Sequence, residues 1–390
     1  MNLVICRKFK LIFMNLKDVL KKYDKKKITI GVLGGHSALD VCHGAAKYGF
    51  ETVVVCQKGR EKTYAKYYKK RDDGMGGKKG CVDNIILVDK FSDIVKADVQ
   101  KKLRDLNTIF IHNRYFWVYC DFAKIEKDFK VPIFGLREGV KLEERDHPNN
   151  QYVLLKKAGI RIPKMFKTAK EIDRLVIVKV NEAERRYERA FFFADSEKSY
   201  KEEGAKRIKS GMILEADLKK AVIEEYIVGA HINLNYFYST LTDEVELMGT
   251  DTRRQTNLDG FLRLTAKDQL ELMAGGFSPK MIETGHYAVT MKESLVEKAL
   301  ALGEKFVKTM KKEVAPGMIG PFALQGAVVA EDGKEEFVIF DVSMRIPGSP
   351  GTKFTPYSGY LYGESMSYGE RIAMEIEMAI EKDKLQDILT

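Results

Sequence analysis

An apolar run at 28–33 is followed by Gly34, Gly35, His36 and Ser37, a helical stretch at 38–48 and a second apolar run at 52–56. This β-α-β rhythm limits the fold more than any other feature, because fully apolar strands joined through a helix need a parallel sheet covered on both faces. Further short apolar runs at 85–88, 108–111 and 132–134 alternate with helical stretches and extend that sheet.

Near 149 the pattern changes. After a helix to Ala158 and Pro163, strands lengthen and are joined by hairpin signals: 176–180 with 190–194, 232–239 with 245–250, and 322–330 with 336–343 across Asp332 and Gly333. Helices are expected near 197–209, 292–312 and 367–381. The fold class is therefore α/β: a Rossmann-like parallel domain over 14–145, then an α+β domain over 146–390 with mostly antiparallel sheets, preceded by a leader at 1–13. The leader's charges, Arg7, Lys8 and Lys10, fall mid-segment and no small-residue cleavage site follows, unlike a secretory signal.

With 45% hydrophobic and 31% charged residues, 390 residues in all exclude disordered and low-complexity classes. No stretch has the roughly 18 uninterrupted apolar residues of a spanning helix. The net charge of +10 is dispersed, which suits phosphorylated small molecules; nucleic acid is not expected. Five cysteines without CxxC or zinc spacing read as core fillers in a reducing cytoplasm. A basic, glycine-containing segment at 58–79 lacks the Walker pattern and reads as a solvated insertion, with closure on a phosphate as the alternative.

Three clusters carry chemistry. Gly34, Gly35, His36 and Ser37 end the first strand and open a helix, where backbone N–H groups cradle phosphate; a satisfied loop histidine is the competing reading. Lys179 ends a buried strand, and IEEYIVG at 223–229 follows some forty residues later, an arrangement able to hold a nucleotide between ammonium and backbone. An ordinary sheet with exposed charges is the alternative. Gln325 and Asp341 lie on hairpin partners, and a three-residue loop at 332–334 sets them directly opposite each other. A two-residue loop does not. Their oxygens form a plausible magnesium seat, and an aspartate in an apolar run is costly unless coordinated or hydrogen-bonded.

Taken with MIGPF at 318–322 and DVSMR at 341–345, these residues resemble an ATP-grasp enzyme. NYFYS at 235–239, DEVELMG at 243–249, NLDG at 257–260 and AKDQLE at 266–271 narrow the resemblance to the archaeal formate-dependent synthetases of 5-formaminoimidazole-4-carboxamide ribonucleotide (FAICAR). It extends from about Met14 to the C-terminus.

The resemblance implies a cytoplasmic, homo-oligomeric purine-biosynthesis ligase with no membrane partner. Such an enzyme uses ATP and Mg²⁺ or Mn²⁺ to join formate to the 5-amino group of the aminoimidazole carboxamide ribonucleotide (AICAR) through formyl phosphate. It assigns Lys179 to the ATP phosphates; Glu224, Glu225, Tyr226, Ile227 and His231 to the nucleotide; His36, Ser37, Tyr115 and Asn257 to the ribonucleotide; and Gln325 and Asp341 to the metal. Arg253 and Arg345 are added here as fixed cations for formyl phosphate or a substrate phosphate, with surface ion pairing as the competing role.

This chain departs from the family pattern at several points. The loop at 181–189 contains no glycine, Tyr115 stands for a serine, Val153 for a lysine, His231 for an asparagine and Asp341 for a glutamate. Three readings follow: a ligase of this family or for a related acid and amine, a nucleotide-binding paralogue with a regulatory or assembly role, and a basic nucleic-acid-binding protein.

Overall fold

The computed structural model describes residues 16–145, 147–180 and 190–390. The leader at 1–13 and the glycine-free loop at 181–189 fall outside them. Among the described residues, strands β1 to β16 follow in chain order.

The main N-terminal sheet has five strands, β1 (Thr29–Leu33), β2 (Glu51–Gln57), β5 (Asn84–Val88), β6 (Thr108–Ile111) and β7 (Ile133–Phe134), paired parallel in the order β5-β2-β1-β6-β7. Chain order reverses between β1 and β6, so the crevice at their carboxyl ends is where such a sheet receives ligands. Asn113 closes that crevice on one side: its Nδ2 donates to Leu33 O at 2.8 Å and to His36 O at 2.9 Å, binding the loop after β6 to the loop after β1. The basic segment carries a short hairpin, β3 (Arg71–Asp72) with β4 (Lys78–Lys79), both exposed.

Two antiparallel sheets follow, as expected. One holds β8 (Met165–Phe166), β9 (Val176–Lys179), β10 (Phe191–Ala194) and β11 (Val222–Glu225) in the order β10-β9-β11-β8. The other holds β12 (Ala230–Ser239), β13 (Glu244–Asn257), β14 (Met281–Ala288), β15 (Gly320–Glu331) and β16 (Lys334–Ser343) in the order β14-β13-β12-β15-β16. The helix Glu293–Glu313 buries Leu295, Ala299, Phe306, Val307 and Met310 in a core shared with Tyr236, Leu324 and Ile339. Its apolar positions recur at three- and four-residue spacing, which gives one continuous inward face.

The chain's end returns to its beginning. The helix Tyr368–Glu381 packs Ile372 and Ile376 into the core built by Val32, Val41 and Cys42, and Ile133 N donates to Thr390 O at 3.0 Å. Gly369 permits this approach, since a Cβ there would lie 1.9 Å from Asp40 O. Cys42, Cys56, Cys81 and Cys120 are buried free thiols, consistent with core packing.

The β15–β16 hairpin corrects one expectation. Its loop has two residues, Asp332 and Gly333, both at positive φ, 50° and 73°, as a tight primed turn requires. Glu331 pairs with Lys334 and the register runs without slip to Gly326 opposite Ile339. Phe340 is then an extra residue, and the next pair is Gln325 opposite Asp341. The juxtaposition holds, but through a β-bulge instead of a three-residue loop.

Candidate active site

A cavity of about 690 Å³ opens between the crevice of the parallel sheet and the large antiparallel sheet. His36, Arg253, Gln325, Asp341 and Arg345 all line it. Sequence-expected residues from opposite ends of the chain thus meet in one place.

Lys179, at the end of β9, is buried and does not itself line the cavity. Its ammonium lies 2.5 Å from Glu224 Oε1, and it donates to Tyr152 Oη at 3.0 Å and to Phe340 O at 3.1 Å. Tyr152 donates in turn to Glu224 Oε2 at 2.6 Å. Because Phe340 is the bulged residue, its carbonyl is turned out of the ladder towards Lys179, which places the cation next to the β16 donor Asp341. Burial pulls the Lys179 ammonium below the usual lysine range, against the opposing influence of Glu224 and Asp341.

The β11 connector behaves differently from residue to residue. Glu224 is committed to Lys179 and Tyr152, whereas Glu225 accepts from Arg174 Nη1 at 2.9 Å. Ile227 is buried with Ala327, Val329 and Val338. Tyr226 packs edge-on against Phe193 at 5.1 Å, and the exposed His231 stands 5.6 Å from the Phe340 ring. Together these rings form an aromatic shelf beside the Lys179 ammonium, a surface suited to a purine face.

Across the cavity, Arg253 on β13 donates through Nη2 to Gln325 Oε1, and the same Nη2 is 3.9 Å from Asp341 Oδ2. Gln325 also donates to Ser343 Oγ at 3.1 Å. The amide and carboxylate oxygens are therefore gathered around one cation already, a guanidinium, and all are hard donors, so the pair fits a magnesium-class ion. Arg345 is buried, with Nη1 donating to Ile346 O at 3.3 Å and Nη2 at 3.8 Å from Glu143 Oε2. Its Nε has no hydrogen-bond partner among the described residues, which suits it to receive an anion.

His36 rests against Gly348, where an added Cβ would come within 1.9 Å of its Cε1. Burial and the nearby Arg345 hold its imidazole down at about 4, so the ring is neutral at physiological pH. Ser37 sits at φ 63° and donates through Oγ to Pro347 O at 2.8 Å. Tyr115 covers Gly35, where a Cβ would lie 2.1 Å from the tyrosine ring. Asn257, at φ 63°, ends β13 in an exposed position. Ser37, Tyr115 and Asn257 do not line the cavity, and neither do Lys179 and the expected nucleotide residues Glu224, Glu225, Tyr226, Ile227 and His231.

The sequence reading missed Glu143, Asp251, Glu283 and His286, all of which line the cavity. Glu143 accepts from Met344 N at 2.6 Å, and burial pushes its carboxyl up to about 7 despite Arg345. Its place at the end of a five-residue helix, Gly139–Glu143, left no motif to find. Asp251, Glu283 and His286 lie on β13 and β14, where cross-strand pairing alone reveals them.

Comparison with known proteins follows the same line. Residues 30–166 match a family described as "Protein of unknown function (DUF1246)", and residues 199–390 match "Domain of unknown function (DUF1297)". The 5-formaminoimidazole-4-carboxamide-1-(beta)-D-ribofuranosyl 5'-monophosphate synthetase of Methanothermobacter thermautotrophicus is 41% identical over 376 residues, covering 96% of this chain and 97% of the relative. The chain belongs to the FAICAR synthetase family. Among solved structures, the IMP biosynthesis protein PurP of Thermococcus kodakaraensis superposes with a TM-score of 0.66 at 25% identity, over 93% of this chain and 100% of that one. The N5-carboxyaminoimidazole synthetase of Staphylococcus aureus, complexed with ADP, shares the fold alone, with a TM-score of 0.51 at 14% identity over 88% of this chain and 79% of that one. The FAICAR synthetase fold is thus shared with that of PurP, a parallel α/β sheet followed by antiparallel sheets as the motifs imply.

Proposed function

We infer that this chain is an ATP-dependent ligase joining formate to the 5-amino group of AICAR, giving FAICAR, ADP and phosphate. One observation carries the reading: Lys179 on one sheet bonds the bulged carbonyl beside Asp341 on the other, and Asp341 lines the same cavity as His36. Full-length similarity to named synthetases supports the substrate pair.

Formate acylates amines poorly because oxide is a poor leaving group. Attack of a formate oxygen on the γ-phosphorus gives formyl phosphate and ADP. The amine then attacks the formyl carbon, phosphate departs with the C–O bonding pair, and the amine loses a proton. Lys179 meets the ATP phosphates, and the shelf of Tyr226 and His231, with Glu224, Glu225 and the buried Ile227, receives the nucleoside. Arg253 and Arg345 hold the formyl phosphate, and His36, Ser37, Tyr115 and Asn257 serve the ribonucleotide. Gln325 and Asp341 would hold Mg²⁺ or Mn²⁺, which supplies charge neutralisation for phosphoryl transfer.

No described helix is long and apolar enough to cross a membrane. A cytoplasmic homo-oligomer and a domain boundary near 145/146 complete the proposal. The Lys179–Glu224 ion pair favours a second reading, in which a cation already neutralised lets the chain bind nucleotide without turnover. A coupled ADP-release assay separates the two: the first requires release that depends on both formate and AICAR and is lost in Lys179→Ala and Asp341→Ala. The second requires ATP binding with no release.

A further inference from the structure

Behind His36 and Arg253 runs a line of side chains that the reaction scheme above does not use. His286 on β14 is gripped from both sides, with Nδ1 on Asp251 Oδ2 and Nε2 2.9 Å from Glu283 Oε1. Asp251 is fully buried and accepts from Asn233 Nδ2 at 2.9 Å and Asn235 Nδ2 at 2.6 Å. Glu283 faces two further groups: its Oε1 is 3.6 Å from His36 Nε2 and its Oε2 is 3.4 Å from Arg253 Nε. A single carboxylate therefore stands between the loop after β1 and the guanidinium that donates to Gln325.

The charge states agree with the geometry. Burial opposes charge on His286, yet its hydrogen bonds to Asp251 and Glu283 push the imidazolium up to about 9. Burial likewise opposes charge on Glu283, but His286 and Arg253 hold it down at about 2. At neutral pH His286 is an imidazolium beside the Glu283 carboxylate, and the His36 ring beyond it is neutral. The Glu283 carboxylate, 3.6 Å from Nε2 of the neutral His36, favours the tautomer protonated there, which leaves Nδ1 as an acceptor. This is the logic by which outer residues fix the tautomer and orientation of a ring that meets substrate.

We propose that His286 and Glu283 form a positioning clamp in which one carboxylate aligns both the His36 ring of the amine subsite and the Arg253 guanidinium of the phosphoryl subsite. The proposal rests on the ligase reading for the identity of the two subsites. Its physical content is that Glu283 cannot serve both groups unless His286 holds it in place. Truncating the clamp should misplace a substrate-facing ring without touching the nucleotide shelf around Tyr226.

The test uses the full-length protein and three variants, His286→Gln, Glu283→Gln and the double variant, with melting temperatures recorded alongside kinetics. AICAR affinity by calorimetry and the KM for AICAR should each weaken by about 10- to 100-fold in the single variants, the range for outer-shell positioning residues. The KM for ATP should stay within about twofold, and the double variant should be no worse than the weaker single one, because both act through one carboxylate.

A pH series adds a readout that loss of packing would not give. The groups facing His286 are Asp251 and Glu283, with His36 and Arg253 behind the latter and Arg345 and Arg114 beyond His36. Wild-type AICAR affinity should hold at neutral pH and weaken as pH passes about 9, and that alkaline step should vanish in His286→Gln. Unchanged AICAR affinity in both singles, losses that add in the double variant, or a parallel rise in the KM for ATP would overturn the clamp. Wild-type protein that binds AICAR but releases no formate-dependent ADP would instead overturn the ligase reading, and the calorimetric comparison would still decide the clamp.

Discussion

Gln325 and Asp341 face each other across β15 and β16 because Phe340 is bulged between them and the turn. The same bulge turns Phe340 O to Lys179, so one inserted residue both sets the proposed metal-donor pair and brings the Lys179 ammonium beside it. Bulges concentrate at such places because they re-aim side chains without ending the strand.

Lys179 and Glu224 are a buried pair, and removing one partner strands the other. Lys179→Met should destabilise the protein by about 3 to 5 kcal/mol, visible as a lower melting temperature together with lost ADP release. Adding Glu224→Gln should restore most of the melting temperature and none of the turnover. Full recovery of turnover in the double variant would show that Lys179 is only a structural partner.

Asp341 is partly exposed, with 28% of its side chain accessible. Asp341→Asn should therefore leave stability within about 0.5 kcal/mol, as for substitutions outside packed features. The metal-dependent part of ATP affinity should nevertheless disappear, because a neutral amide replaces the anionic donor. Calorimetric titrations of ATP with and without Mg²⁺ measure this, and equal magnesium dependence in both proteins would remove Asp341 from the site.

Gly348 has ordinary backbone freedom, yet a Cβ at this position would collide with the His36 ring. Gly348→Ala should raise the KM for AICAR several-fold while leaving the KM for ATP unchanged. An unchanged KM for AICAR would place His36 outside the ribonucleotide subsite.

Much of this arrangement was legible in the sequence. The β-α-β rhythm gave the parallel sheet, and the positions of Lys179, Gln325 and Asp341 followed from strand ends and hairpin partners. The bulge was not legible, because an extra residue leaves no mark in an apolar run such as Phe337–Phe340, and the correct pairing was reached through the wrong loop length. β14 was also missed: its residues Met281–Ala288 are exposed or half-buried throughout, so no apolar alternation announces a strand. With it went Glu283 and His286, whose significance lies in partners on β13 that only the folded register brings near.

The raised His286 value also governs stability. Its folded-state value of about 9 exceeds the ordinary 6.5, so its contribution is complete below pH 6.5 and is lost as pH rises through 9. Wild type should lose a few degrees of melting temperature across that window relative to His286→Gln. Parallel melting profiles for the two proteins would contradict the charged clamp.

The most direct measurement follows oxygen. With ¹⁸O-labelled formate, ATP and AICAR, passage through formyl phosphate transfers one formate oxygen to the released inorganic phosphate for each FAICAR formed. The account predicts that label in phosphate, with ADP, phosphate and FAICAR appearing in equal amounts and none when formate is omitted. Unlabelled phosphate, or ADP release indifferent to formate and AICAR, would contradict it.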